Sequence, residues 1–179
     1  MAEYPAQLAR QHRLADGRMV TIRPIRPDDA ARVRDFLSGS SGETRYRRFL
    51  KWVGAPTENL VHFMTDVDYE RHLALVCTVA RADGEDVVGE ARYVTNPDGR
   101  SCEFAIMIQD SWQKTGIAGL LMDALMRAAR ERGIARMEGL VLSANSSMLR
   151  FARALGFEAA TLAEDPSTVR ITKTLEPVS

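Results

Sequence analysis

The chain has 179 residues, 45% of them hydrophobic and 27% charged, which suits one globular domain with a single core. Lysine plus arginine equals aspartate plus glutamate at 24 each, so the formal net charge is zero and a global basic footprint for nucleic acid or a membrane surface is absent. Cys77 and Cys102 each lie inside an apolar run and read as buried free thiols, so a disulfide framework is not indicated. No apolar run reaches the roughly 20 residues of a membrane span. The amino terminus lacks the apolar centre of a signal peptide, and a reducing cytoplasm is the expected location.

Residues 1–18 are mixed and polar around an Asp16-Gly17 turn. They read as an N-terminal extension, either a leading hairpin strand or an untidy terminus, ahead of a domain over 19–175. Met19–Ile25 reads as a first strand whose end is marked by two prolines. Asp28-Asp29 then open a helix through Leu37 with Ala30, Val33, Phe36 and Leu37 on one face, and the early acids suit its dipole. A Ser/Gly run at 38–42 breaks it. Glu43–Leu50 follows as a short basic helix, and Ala55-Pro56-Thr57 leads into a third near Glu58–Met64.

His72–Ala80 is apolar through its centre and predicts a strand covered on both faces. An Asp83-Gly84 turn, a strand over Val87–Thr95 and an Asn96-Pro97-Asp98-Gly99 connection lead to a further strand over 101–108. The next helix begins near Gly116, and its apolar residues Ile117, Leu120, Leu121, Ala124, Leu125 and Ala128 form the stripe of a helix packed on a sheet. Gly133 stops it. A short strand over Met137–Leu142, a turn and cap at Ser143-Ala144-Asn145 and a helix over Ser147–Leu155 follow. Phe157–Leu162 and Val169–Thr174 predict a closing hairpin. Helices, then antiparallel strands, then a strand–helix–strand–helix half make one α/β domain.

Between strand and long helix lies Gln113-Lys114-Thr115-Gly116-Ile117-Ala118. A tight loop that opens a helix leaves several N–H groups unpaired at the positive end of the helix dipole, which is a phosphate site. Gly116 and the small Ala118 let a pyrophosphate come close to the backbone. A Walker loop does not fit, because Lys114-Thr115 precedes the glycine, and a dinucleotide fingerprint lacks its three spaced glycines.

The segment resembles the Gln/Arg-x-x-Gly-x-Gly/Ala signature of the GNAT family of N-acetyltransferases. Asn145, the short helix after it and Leu155-Gly156-Phe157 are similar to the second half of that family's cofactor site. Three N-terminal stretches, Ile22–Asp29, Glu43–Phe49 and Asp66–Arg71, resemble the acetyltransferase domain of bacterial protein lysine acetyltransferases. The resemblance implies an α/β (α+β) fold, a single domain with a mixed central sheet and helices on both faces. It implies acetyl-CoA as co-substrate with no metal, and transfer to a primary amine, in that branch a protein lysine. A small-molecule amine acceptor and a non-catalytic acyl-CoA-binding sensor are the alternatives. Neither nucleic acid nor membrane is expected as partner, and a homodimer is compatible.

Acetyl transfer needs a deprotonated amine, a polarised thioester carbonyl and a neutralised leaving thiolate. Glu103 is the sole acid in 102–108, and strand burial is expected to raise its carboxyl into a useful range. The family places its proposed base in this Glu-Phe-Ala stretch. Glu90, on the neighbouring strand, is the fallback base. By resemblance, the backbone of Ile106, Met107 and Ile108 pairs with the pantetheine arm. That of Lys114, Thr115, Gly116, Ile117, Ala118 and Gly119 holds the pyrophosphate, and Gln113 buttresses the loop. Asn145 either contacts the cofactor or only caps its helix. Many family members carry a tyrosine acid seven residues after this asparagine; here that residue is Ala152, and the general acid is unassigned. His12, His62 and His72 show no metal spacing. Arg45, Arg47, Arg48 and Lys51 form a basic helix face, by default solvated and otherwise a docking or 3′-phosphate contact. Trp112 is expected to anchor the loop in the core.

Overall fold

The computed structural model of the protein describes residues 2–177. A leading hairpin, β1 (Arg10–Arg13) and β2 (Met19–Pro24), opens the fold. It turns at Gly17, whose φ of +91° favours glycine. Residues 2–18 are therefore tied to the domain: β1 pairs with β2, and the Tyr4 hydroxyl donates to the carbonyl of Pro24. Three helices follow, α1 (Ala30–Ser38), α2 (Gly42–Phe49) and α3 (Glu58–Thr65). Ser41 and Thr57 cap the last two by accepting from the Thr44 and Leu60 amides. Strands β3 (His72–Arg81), β4 (Gly84–Thr95) and β5 (Ser101–Ile108) come next. The long helix α4 (Ile117–Glu131), strand β6 (Arg136–Leu142), helix α5 (Ser146–Ala154) and the strands β7 (Glu158–Thr161) and β8 (Thr168–Thr174) complete the chain.

One expectation needs correcting. The helix does not open at Asp28-Asp29: Pro27–Asp29 form a short 3-10 turn, α1 begins at Ala30, and Asp29 is buried. Its carboxylate accepts from Arg23 Nη1 and Nη2 at 2.8 and 2.7 Å and from the Arg26 amide at 2.7 Å, welding the turn to β2. Burial alone would raise this carboxyl, but the hydrogen bonds from Arg23 and the Arg26 amide, with the Arg23 and Arg32 charges, together outweigh it and hold the group below the usual range.

The sheet order is β1-β2-β3-β4-β5-β6-β8-β7, antiparallel throughout except where β6 runs parallel to β5. Helices cover both faces, as β4 demonstrates. A Cβ built on Gly89 would meet Ile117 and Leu121 of α4, whereas the side chain of the next residue, Glu90, meets Arg48 of α2 on the opposite face. The α4 stripe is buried at Ile117, Leu121, Met122, Leu125 and Met126, each large apolar side chain contributing about 1.5–3 kcal/mol when fully buried. Cys77 and Cys102 are buried and free, and burial pushes both thiols up to about 12. Among the described residues no helix is long and apolar enough to cross a membrane.

Candidate active site

The site begins with a short ladder. β5 and β6 pair only over Ser101–Glu103 and Arg136–Glu138, and beyond Glu103↔Glu138 the two strands part. Each keeps its outer neighbour: residues up to Ile108 stay paired to β4, and residues up to Leu142 to β8. The sheet is thus split by a wedge whose two walls are strand edges with unpaired backbone groups. Such edges bind an extended, amide-bearing molecule as an added strand. Gly139 lies just past the last rung, where a Cβ would come within 2.8 Å of the Phe104 ring. Only the missing side chain lets that ring sit across the wedge base.

The wedge opens into a cleft of about 540 Å³. Its walls are Phe104–Ile108 and Gly139–Val141, and its sides are Thr44, Arg47 and Arg48 of α2 and Asn145, Ser147, Met148 and Phe151 at α5. At the far end stands the loop from Trp112 to Gly119. The amides of Lys114, Thr115 and Gly116 meet no backbone acceptor among the described residues. Lys114 and Gly116 both take the left-handed conformation, at φ +63° and +95°. The first turn of α4 adds its own unpaired N–H groups and the positive end of its dipole. Nothing lies within 4 Å of a Cβ built on Gly116, so the loop faces open space that a pyrophosphate can fill. The cleft therefore suits a long cofactor with an anionic end and an amide-bearing arm. Among the described residues no group of three or more His, Cys, Asp or Glu is gathered for a metal.

Gln113 does brace the loop: its Nε2 donates to the Ile108 carbonyl at 3.2 Å. Asp110 is a further brace that sequence reasoning missed. Its carboxylate accepts from the Ser41 amide and hydroxyl, both at 2.9 Å, and from the Thr44 hydroxyl at 3.1 Å, clasping the start of α2 to the loop. Nothing in the local pattern of Asp110 advertises a partner 69 residues away. Asn145 caps its helix, accepting from the Met148 amide at 3.3 Å, and it also lines the cleft. Trp112 is half-buried with the Arg18 guanidinium 4.0 Å from its ring, and its remaining face lines the cleft.

Glu103 stands at the last rung before the wedge, but its side chain is exposed, so the burial argument made for it from the sequence fails. It lines a small hollow of about 40 Å³ with Glu138 and Arg170. Gly139 and Leu140 form a wall shared by the hollow and the larger cleft. Glu90 has a different environment. It is fully buried, its Oε1 accepting from Arg48 Nε and its Oε2 from Arg92 Nε, both at 2.9 Å. Burial alone would raise its carboxyl, yet the Arg92 and Arg48 charges hold it below the usual range. Arg92 in turn donates to His72 Nε2 at 3.1 Å and to the Met64 carbonyl at 3.1 Å. Burial, with the Arg92 charge next, lowers His72 to about 4.

The basic face of α2 is not the solvated surface expected by default. Arg45 donates to the carbonyls of Leu37, Ser40 and Val53, and the Arg48 side chain is 10% exposed; Arg47 pairs with Glu43 at the surface. None of the four tyrosines lines the cleft. Tyr69 donates to the Ile25 carbonyl at 2.7 Å, Tyr93 is in the core, and Tyr46 packs on Trp52. Ala152 is buried and brings no hydroxyl.

Comparison with known proteins agrees with this geometry. Residues 19–158 match the family model described as an acetyltransferase (GNAT) domain. The chain is 37% identical over 145 residues to acetyltransferase PA5475 of Pseudomonas aeruginosa, covering 80% of this chain and 77% of that protein. It is 33% identical over 141 residues to acetyltransferase Pat of Mycolicibacterium smegmatis, where the match covers 78% of this chain but only 41% of the relative. Among solved structures, the GNAT domain of S. lividans PAT superposes with a TM-score of 0.88 at 29% identity, covering 97% of this chain and 100% of that one. On the family-model match over 19–158 and the 37% identity to a relative covered to 77%, the chain belongs to the GNAT family of N-acetyltransferases.

Proposed function

We propose that the chain transfers the acetyl group of acetyl-CoA to the side-chain amine of a protein lysine. The observation that carries this is the wedge: an anion-binding loop stands at one end, and a carboxylate stands where the sheet closes at the other. The pyrophosphate sits on the amides of 114–119, and the pantetheine arm pairs with the free edge of Ile106, Met107 and Ile108. The thioester then lies toward Glu103.

A lysine amine has an ordinary pKa of about 10.4 and must lose a proton before it attacks. Glu103 is the general base, reached directly or through one water. Its exposure on the hollow lets a side chain from another molecule approach. Glu90, with both oxygens engaged by arginines, anchors α2 rather than serving as a second base.

The shape of the hollow and the N-terminal resemblance both support a protein acceptor. Small-molecule sites usually enclose about 300–1,000 Å³, whereas the Glu103 hollow of about 40 Å³ accepts only the tip of a side chain. A thiol-release assay with acetyl-CoA against a panel of lysine-bearing proteins and free amines tests this. Turnover with proteins is expected; turnover with free amines alone overturns the protein-lysine reading.

A further inference from the structure

The cleft holds a charge that nothing on the chain neutralises. Glu90 is shared by two guanidiniums, so the buried Arg48–Glu90–Arg92 cluster carries a net charge of plus one. His72, beyond Arg92, is held neutral, and Arg47 on the same helix is paired to Glu43. Arg92 spends its donors inside the protein, on Glu90, His72 and the Met64 carbonyl. Arg48 does not. Its Nε donates to Glu90, while its two terminal nitrogens meet no acceptor among the described residues, and the side chain lines the cleft at 10% exposure. Those terminal nitrogens reach the open cleft rather than being sealed from solvent, so an anion that enters the cleft can meet them directly.

Its position tells which anion. Thr44, one helical turn earlier on α2, is the residue that touches Asp110 and Gln113 at the phosphate loop. Arg48 is carried away from that loop and held over the sheet by Glu90, whose partner across the β4/β5 ladder is Met107. The loop has its own cation in Lys114. Meanwhile no tyrosine hydroxyl lines the cleft, Phe151 on its wall carries no proton to give, and Ala152 is buried in the core behind it.

We infer that Arg48 is a catalytic cation that stabilises the departing CoA thiolate, in place of a proton donor. The inference rests on the acetyl-CoA reading above. The amine lone pair attacks the carbonyl carbon, forming C–N as the carbonyl π pair moves to oxygen. The amine proton passes to Glu103. Collapse then breaks C–S, and its electron pair leaves on sulfur as a thiolate beside the guanidinium. No protonation of sulfur on the enzyme is required, because a cation within about 4–6 Å lowers a thiol's pKa by about 1–3 units.

Free CoA itself is the probe. Its bound thiol is titrated by far-ultraviolet thiolate absorbance, with desulfo-CoA as the blank. A wild-type pKa about one unit or more below the ordinary thiol value of about 8.5 is expected. Arg48→Lys keeps most of that shift, and Arg48→Gln loses it while lowering kcat about a hundredfold. Arg48→Gln leaves Glu90 paired with Arg92, and thermal melting confirms that it folds; Arg48→Lys keeps the charge as the second variant. A wild-type thiol that titrates as in free CoA overturns the assignment. So does an Arg48→Gln variant that binds CoA and desulfo-CoA equally weakly with an unmoved thiol pKa, since the cation then serves a phosphate. Wild-type protein that binds no CoA overturns the acetyl-CoA reading itself.

Discussion

Ala118→Leu separates a blocked phosphate loop from a damaged fold. Ala118 lines the cleft in the first turn of α4, outside the buried core. Leucine is nearly as good a helix former as alanine, differing by about a few tenths of a kcal/mol. At about 2–4 °C per kcal/mol for a domain of this size, Tm should move by about 1 °C or less. The added isobutyl group instead stands in the space offered to the pyrophosphate. Hydrogen bonds from amides to a charged group contribute about 1.5–3 kcal/mol each. Loss of one weak bond gives about a tenfold rise in Kd, and loss of two of middling strength about a thousandfold. Gly116→Val is a poorer test. At φ +95° any side chain is strained, by about 1–2 kcal/mol, so weak binding would mix blockage with destabilisation. Calorimetric titration with acetyl-CoA beside a melting curve measures both quantities. Ala118→Leu with unchanged Tm and unchanged Kd would refute the loop as the pyrophosphate site.

Glu103→Gln should keep acetyl-CoA affinity and lower turnover by about a hundredfold; equal turnover across neutral and high pH would remove Glu103 from the mechanism. Glu90→Gln leaves Arg48 and Arg92 facing a neutral amide and should cost about 3–5 kcal/mol in urea denaturation; an unchanged midpoint would contradict the buried ion-pair anchor. His72 is neutral in the fold down to about pH 4 but titrates near 6.5 when unfolded, so its stabilisation is present above 6.5 and is lost as pH falls toward 4. His72→Gln should flatten the stability profile between pH 6.5 and 4, and an unaltered slope would refute this. Asp29, held below its ordinary value, adds stability above about pH 3.9 that is lost on further acidification; Asp29→Asn should weaken the acid limb of a melting series, and an unchanged limb would count against the Arg23–Asp29 weld.

Much of the fold was legible because its signals are local. The α4 stripe, the Asp98 turn and the cap at Asn145 each act within a few residues, and each element formed close to its expected bounds. The tight loop that opens α4 at Gly116 was legible for the same reason. What local pattern does not carry is contact across sequence distance. Arg48 reads as surface charge until β4 brings Glu90 beneath it from 42 residues away. Asp29 reads as a helix-dipole acid until Arg23 claims it. Glu103 reads as buried because its strand is apolar, but alternation and the uncovered face by β6 leave it exposed.

A crystal structure with a non-hydrolysable acetyl-CoA analogue tests the central claim most directly. The expected result is a pyrophosphate on the amides of 114–119, a pantetheine arm along Ile106–Ile108, and the acyl carbon within one water of the Glu103 carboxylate. A cofactor lying outside the β5/β6 wedge, or one whose acyl end points away from Glu103, would contradict it.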